Sequence, residues 1–258
     1  MKPKHYTAVI SSDWNQCLAP CGPFDPIIYT YPKLTAELSA VFKAYTGNHI
    51  SLGRASATIQ ALLPAPLSAA QMDSYLDAAF ATYDGVADLI EWCLGRDVLF
   101  MINTTGLTGY FQRVFAKGLL PPVPVLSSNA MLRYPAARTD PHVMLDLEEI
   151  MDKGRNTEWV IQQLENPPPK CILMGDSGGD GPHFEWGAAH GAFLVASMPK
   201  PSLLKYCRKE GIEIDLFVGT QDSHAKGADR NGPATFDFMD LTAVIDELSG
   251  VGGSVCRF

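Results

Sequence analysis

The sequence predicts an α/β protein of three layers, a parallel sheet covered on both faces by helices, with a small all-helical segment set into it. Three observations carry this. Short unbroken apolar runs recur along the 258 residues, and such runs mark strands buried on both faces. Helical patterns lie between them, the order that winds a parallel sheet. The alternation then fails over residues 20–82, where helical patterns follow one another with no convincing strand.

The first apolar run, YTAVISS (6–12), ends at Asp13. The second, VLFMIN (98–103), ends at Thr104, and a weaker third is PVPVLSS (122–128). CILMG (171–175) ends at Asp176, and AFLVAS (192–197) and IDLFVG (214–219) complete the set. Between them, GVADLIEWCLG (85–95) has apolar residues at helical spacing and Gly95 as a stop signal. The segments around Leu107–Lys117 and Asn156–Leu164 also read as helices, and FMDLTAVIDELSG (238–250) reads as a closing helix ended by glycine. LTAELSAVFKAY (34–45), SATIQALL (56–63) and SAAQMDSYLDAAFATY (68–83) are the helical patterns of the insertion. Prolines 20, 23, 26 and 32 mark its entry, and Pro64 and Pro66 punctuate its middle. The expected organisation is a core of residues 1–19 and 83–258 with a helical unit over 20–82. The polar stretch GTQDSHAKGADRNGPATF (219–236) is long for a loop, and loops of that length tend to be functional or mobile.

Nearly half the residues are apolar, enough to bury a sizeable core. A formal net charge of −8 argues against nucleic-acid or anionic-membrane partners, which want a basic face. The apolar runs are far too short to cross a bilayer, and the N-terminal stretch has no secretory pattern, so a soluble cytoplasmic protein is expected. Six cysteines (17, 21, 93, 171, 207 and 256) lack the paired spacing of zinc sites. Cys17 and Cys21, four apart, suit a redox pair or half a metal site; with no second pair nearby, buried thiols are the simpler account.

Asp13 and Asp176 each follow a buried run, and a strand-end carboxylate is costly unless something compensates it. Open α/β sheets place their ligands at these C-terminal strand ends. Asp176 opens GDSGGD (175–180), whose glycines permit tight turns and which supplies Asp180 as well. Strand-end carboxylates meeting at the sheet edge suit a hard divalent cation such as Mg²⁺. Lys153, in DKGRNTEW before a predicted helix, is placed to neutralise the excess negative charge, and Thr104 adds a hydroxyl beside a helix start, a natural phosphate contact. His183 and His190 have helix-face spacing but read as packing or surface residues. Trp14 reads as either a wall of the site or core packing.

In this order, Asp13 after a strand, Thr104 after a strand, Lys153 before a helix and G-D-S-x-x-D, the motifs resemble those of the haloacid dehalogenase (HAD) superfamily across essentially the whole chain. GDSGGD followed by GAAHGAFLVA (187–196) is the most specific part. The resemblance implies a Rossmann-like core and a helical cap between the first two motifs, closing over the site. It implies that Asp13 is a nucleophile forming an aspartyl-phosphate on a small phosphorylated substrate. Thr104, Thr105 and Lys153 would bind the phosphoryl group. Asp13, the Asn15 backbone carbonyl and Asp176 would hold Mg²⁺, with Asp180 behind them or reaching it through water.

One position departs from the pattern. The family's phosphatases usually read D-x-D-x-T, whereas this chain reads Asp13-Trp14-Asn15-Gln16-Cys17. Asn15 cannot transfer the proton that the second aspartate would, a contribution typically of roughly 10²–10⁴-fold. Phosphonoacetaldehyde hydrolases lack that aspartate too and resemble this chain at Asp13-Trp14 and Thr104-Thr105-Gly106. They need a cap lysine, for which Lys33 and Lys43 are the candidates. The sequence therefore supports a Mg²⁺-dependent hydrolase, which the intact nucleophile, lysine and G-D-S-x-x-D favour, against a non-catalytic binding or scaffold relative, which Asn15 favours.

Overall fold

Strands covered on both faces need no polar alternation, and the apolar runs lie where such a sheet requires them. A computed structural model describes residues 5–46, 49–166, 168, 170–219 and 236–249. Its seven strands are β1 (Ala8–Ser12), β2 (Val98–Leu107), β3 (Val125–Asn129), β4 (Val143–Asp146), β5 (Cys171–Gly175), β6 (Phe193–Ser197) and β7 (Leu216–Val218). All pair in parallel, in the order β4-β3-β2-β1-β5-β6-β7. Every residue of β1 is buried, and alternate side chains enter different layers: Ala8 and Ile10 face one core cluster, Val9 another.

Helices α1 (Asp25–Thr30), α2 (Thr35–Thr46), α3 (Leu52–Leu62) and α4 (Ala69–Ala79) lie between β1 and β2, and the described residues there carry no strand of the sheet. Ser51 and Ser68 start α3 and α4 by accepting from the amides of Arg54 and Gln71; at α4 the Gln71 side chain answers back to Ser68, completing a capping box. Polar contacts tie this segment to the rest, among them the following. Glu149 accepts from the amides of Leu52 and Gly53 at 3.0 and 3.1 Å. Arg113 makes a bidentate pair with Asp73, and Asn129 donates to Ser56.

On one face of the sheet pack α5 (Val86–Gly95), α6 (Thr108–Ala116) and α10 (Leu241–Ser249), through residues such as Leu89, Phe111 and Ile245. On the other pack α7 (Asp152–Gln162), α8 (Gly181–Ala189) and α9 (Pro201–Glu210), through Val160, Phe184 and Leu203. This is the three-layer α/β/α architecture expected of the sequence.

Several elements differ in detail from the sequence reading. β4 is additional; it is a four-residue edge strand whose residues are half-buried or exposed, so no apolar run announces it. α9 is additional too, because only Leu203 and Cys207 of its ten residues are buried. α7 starts at Asp152, so Lys153 sits inside its first turn rather than before it. Asp152 holds that turn by accepting from the amides of Glu148 and Glu149. β2 runs on to Leu107 through a register shift after Asn103, so Thr104 lies within the strand. The long polar stretch 219–236 falls, over 220–235, outside the described residues.

Candidate active site

The chain order of the sheet creates the site. From β1 the strands are laid outward through β2 and β3 to β4, and the chain then returns to place β5 against the other side of β1. The C-terminal ends of β1 and β5 therefore flank a topological switch point, where open α/β sheets leave a crevice. Ser12 is in register with Met174, and the Asp13 amide donates to the Met174 carbonyl at 3.0 Å. That register delivers Asp13 and Asp176 side by side. Asp13, Asp176 and Asp180 each offer an oxygen within 4.8 Å of the others, and all three are buried.

Lys153 reaches this cluster from the first turn of α7. Its Nζ lies 3.0 Å from Asp13 Oδ1 and 2.5 Å from Asp180 Oδ1, with only 2% of the side chain exposed. Burial opposes its charge, but Asp13 and then Asp180 raise its pKa and keep it cationic. Asp180 is used twice. Oδ1 meets Lys153, and Oδ2 accepts from the amides of Asp176 and Ser177 at 3.0 and 3.1 Å. Burial works against its ionisation, yet Lys153 and those amides hold its pKa below the ordinary carboxylate range. Gly175 is needed for this fit: a Cβ there would stand 2.6 Å from Asp180 Cβ.

The other two carboxylates are pulled the opposite way. Burial raises Asp13, against the pull of Lys153. Asp176 is pushed up to about 8 by burial and by the charges of Asp180 and Asp13. Asp13 Oδ1 and Asp176 Oδ2 are buried without a hydrogen-bond donor in good geometry and have only ammonium neighbours, Lys153 and Lys200. Three buried carboxylates whose oxygens converge within 4.8 Å are a donor set that suits a hard divalent cation.

Lys200, which the sequence reading did not single out, lies 2.5 Å from Asp176 Oδ2. It follows β6, and its amide donates to the Asp176 carbonyl. Beneath Lys153 lies a second feature that was missed, a buried polar network. Asn103 and Thr157 both donate to the Lys153 carbonyl, and Thr157 Oγ1 lies 2.8 Å from Ser11 Oγ and 3.1 Å from His183 Nε2. His183 is thus a packed core residue whose pKa burial drives down to about 3. These partners are separated by up to 172 residues, and no local motif marks them.

Asn15 lines the cavity, but its partners are specific. Its Oδ1 accepts from Thr104 at 3.2 Å, and its Nδ2 points to the Cys21 carbonyl at 3.4 Å. Thr104 is fully buried with its hydroxyl committed to Asn15, whereas Thr105 lines the cavity. The Thr104 hydroxyl, expected to contact phosphate, is turned to Asn15 in this geometry, where β2 continues past it. Trp14 is core, edge-on to Phe111. Cys17, Cys21, Cys93, Cys171 and Cys207 are free thiols.

The cavity has a volume of about 620 Å³. Phe42, Tyr45 and Thr46 of α2 form one side, and the Tyr45 hydroxyl lies beside Thr105. Lys33 and Lys43 are exposed and outside the cavity, so a Schiff-base lysine from this segment has no support.

The sequence matches no protein-family model. It matches no curated protein either. Solved structures share its fold. A phosphoserine phosphatase bearing a phospho-aspartyl intermediate analogue aligns with TM-score 0.60 at 13% identity, over 93% of this chain and 99% of that one. A HAD family hydrolase from Salmonella enterica serovar Typhi aligns with TM-score 0.60 at 16% identity, over 84% and 69%. A protein of unknown function from Bordetella pertussis Tohama I aligns with TM-score 0.57 at 12% identity, over 81% and 98%. The chain has the haloacid-dehalogenase-like fold. Among the described residues, no helix is long and apolar enough to cross a membrane.

Proposed function

We propose that the chain is a Mg²⁺-dependent phosphohydrolase of a small phosphorylated molecule, working in the cytoplasm through Asp13 as nucleophile. The observation that carries this is the convergence of Asp13, Lys153, Asp176 and Asp180 at the switch point, inside a cavity of substrate size. The fold neighbours include a substrate-bound phosphoserine phosphatase, which makes phosphate-ester chemistry the first class to test. Asp13, the Asn15 backbone and Asp176 would hold Mg²⁺. With both oxygens already engaged, Asp180 would orient Lys153 and the GDSGGD turn behind the metal. The cation would neutralise charge on the transferring phosphoryl group and relieve the crowding of carboxylates.

An Asp13 carboxylate oxygen attacks phosphorus, the bond to the leaving oxygen breaks, and an aspartyl-phosphate forms. Lys153 faces the developing charge on the phosphoryl oxygens from a buried, fixed position, where such stabilisation is most effective. Thr105, which lines the cavity, contributes a hydroxyl to the phosphoryl group, and Thr104 positions Asn15. Water then hydrolyses the acyl phosphate and regenerates Asp13. Asn15 holds the place of a proton-transfer group without being able to transfer a proton, so leaving groups that depart as stable anions are favoured. Residues 20–82 act as a cap on a core of 1–19 and 83–258, with Phe42 and Tyr45 excluding water from the reacting centre.

Asn15 also favours a second reading, a non-catalytic protein that binds phosphorylated ligands at the same site. A panel of phosphate monoesters assayed with Mg²⁺ or chelator, beside Asp13→Asn, separates the two. Mg²⁺-dependent turnover lost in Asp13→Asn is the expected result. Ligand binding without turnover in either protein leaves the binding reading in its place.

A further inference from the structure

We propose that the substrate carries a second anionic group, a carboxylate or another phosphate, held at the mouth of the cavity by Lys205 and Lys209 of α9. This rests on the phosphohydrolase reading and names the substrate class for it. α9 shows the cavity one polar face: Ser202, Lys205, Tyr206 and Lys209 all line it, at the three- and four-residue spacings that share a helix side. Its opposite side, Leu203 and Cys207, is buried in the core. The remaining groups on the helix face are already assigned. Ser202 accepts from the Gly178 amide, and the Tyr206 hydroxyl donates to Glu185. Lys209 is paired only with its exposed neighbour Glu210, and Lys205 has no ion pair among the described residues.

The charge balance points the same way. The cavity wall carries four ammonium groups, Lys153, Lys200, Lys205 and Lys209, against three carboxylates, Asp13, Asp176 and Asp180. Lys153 and Lys200 are spent on those carboxylates at the floor. Lys209 is shared with Glu210, so the ammonium on the cavity wall left without a carboxylate among the described residues is Lys205 of α9. The cavity is also lined by Phe42, Tyr45 and Thr46 of α2 and by Pro23 of the loop before α1, none of them charged. The shape selected is a phosphoryl group at the floor, a short body against aromatic and apolar side chains, and an anion at the α9 rim.

Matched aryl phosphates test this: 4-carboxyphenyl phosphate and 1,4-phenylene bisphosphate against the neutral 4-carbamoylphenyl phosphate. The kcat/KM of each is measured at low and high salt in the wild type and in a Lys205→Met/Lys209→Met double variant. Equilibrium binding of each to Asp13→Asn with Mg²⁺ provides a readout without turnover. The proposal expects one or both anionic compounds to be preferred by about five- to tenfold at low salt, less at high salt, as exposed ion pairs behave. The preferred compound identifies carboxylate or phosphate, and the preference should fall to near unity in the double variant. Equal use of all three compounds by the wild type, or a preference that survives the double substitution, overturns the inference and leaves the phosphohydrolase reading standing. If none is turned over and none binds Asp13→Asn, the phosphohydrolase reading fails and this inference with it.

Discussion

Replacing Asn15 by aspartate restores a titratable group at the position where this chain has an amide, and its consequences follow from the site geometry. The Thr104 hydroxyl already donates to Asn15 Oδ1 at 3.2 Å, and a carboxylate keeps that bond and strengthens it. The donor lost is Nδ2, whose contacts to the Cys21 carbonyl and sulfur are long, at 3.4 and 3.5 Å. Leaving that carbonyl against a carboxylate costs about 1–2 kcal/mol of stability. General acid–base catalysis is worth roughly 10²–10⁴-fold, or about 2.7–5.4 kcal/mol of barrier. The fourth carboxylate will also press on Asp13 and Asp176, so Mg²⁺ must be present at saturation when rates are compared. The assay is hydrolysis of two esters, one aryl with a good leaving group and one alkyl with a poor one. Asn15→Asp should speed both by at least tenfold, and the alkyl ester more, because its leaving oxygen needs the proton. A variant that folds and binds Mg²⁺ normally but gains nothing on either ester would refute the assignment of Asn15 to the proton-transfer position.

Two further outcomes are expected. Lys153→Met leaves Asp13 and Asp180 buried without their shared cation and should lower unfolding stability at pH 7 by about 3–5 kcal/mol in urea titrations; a loss below about 1 kcal/mol would contradict the buried pairing. His183 is neutral in the folded state, with its pKa driven down to about 3, so the unfolded chain takes up its proton first as pH falls. Its contribution is fully present above about pH 6.5 and is lost between there and about pH 3, at about 1.4 kcal/mol per pH unit. Wild type should therefore lose about 2 kcal/mol more than His183→Gln between pH 7 and pH 5, and parallel losses would show that His183 is not buried neutral.

What was legible in the sequence is what local chemistry writes. Asp13 and Asp176 each end a run buried on both faces, so the same residues that define the strands announce the carboxylates. GDSGGD also showed its turn; Asp180, expected behind the metal or reaching it through water, accepts from a turn amide on one oxygen and meets Lys153 on the other, a pairing the motif does not announce. Lys200 was not legible because nothing local marks a lysine after a strand; its place comes from a backbone bond to Asp176 across the sheet edge. β4 and α9 escaped for a related reason, since an edge strand and a helix buried through two side chains need little apolar pattern. Thr104 lies inside β2, which runs on past the end of the apolar run at Asn103 without a local signal. The Ser11, Asn103, Thr157 and His183 network is a product of the fold, assembled from four elements that only the sheet order brings together.

The central claim is that Asp13 becomes covalently phosphorylated. Asn15 makes this unusually accessible, because an amide that cannot activate water should slow breakdown of the aspartyl-phosphate more than its formation from a good leaving group. Mixing the protein with 4-nitrophenyl phosphate and Mg²⁺, quenching in acid and analysing peptides by mass spectrometry should find one phosphoryl group on the peptide containing Asp13. That group should be absent with chelator and in Asp13→Asn, and its formation should match a burst of nitrophenol. Mg²⁺-dependent hydrolysis that persists in Asp13→Asn, or a phosphoryl group found on another residue, would contradict the account.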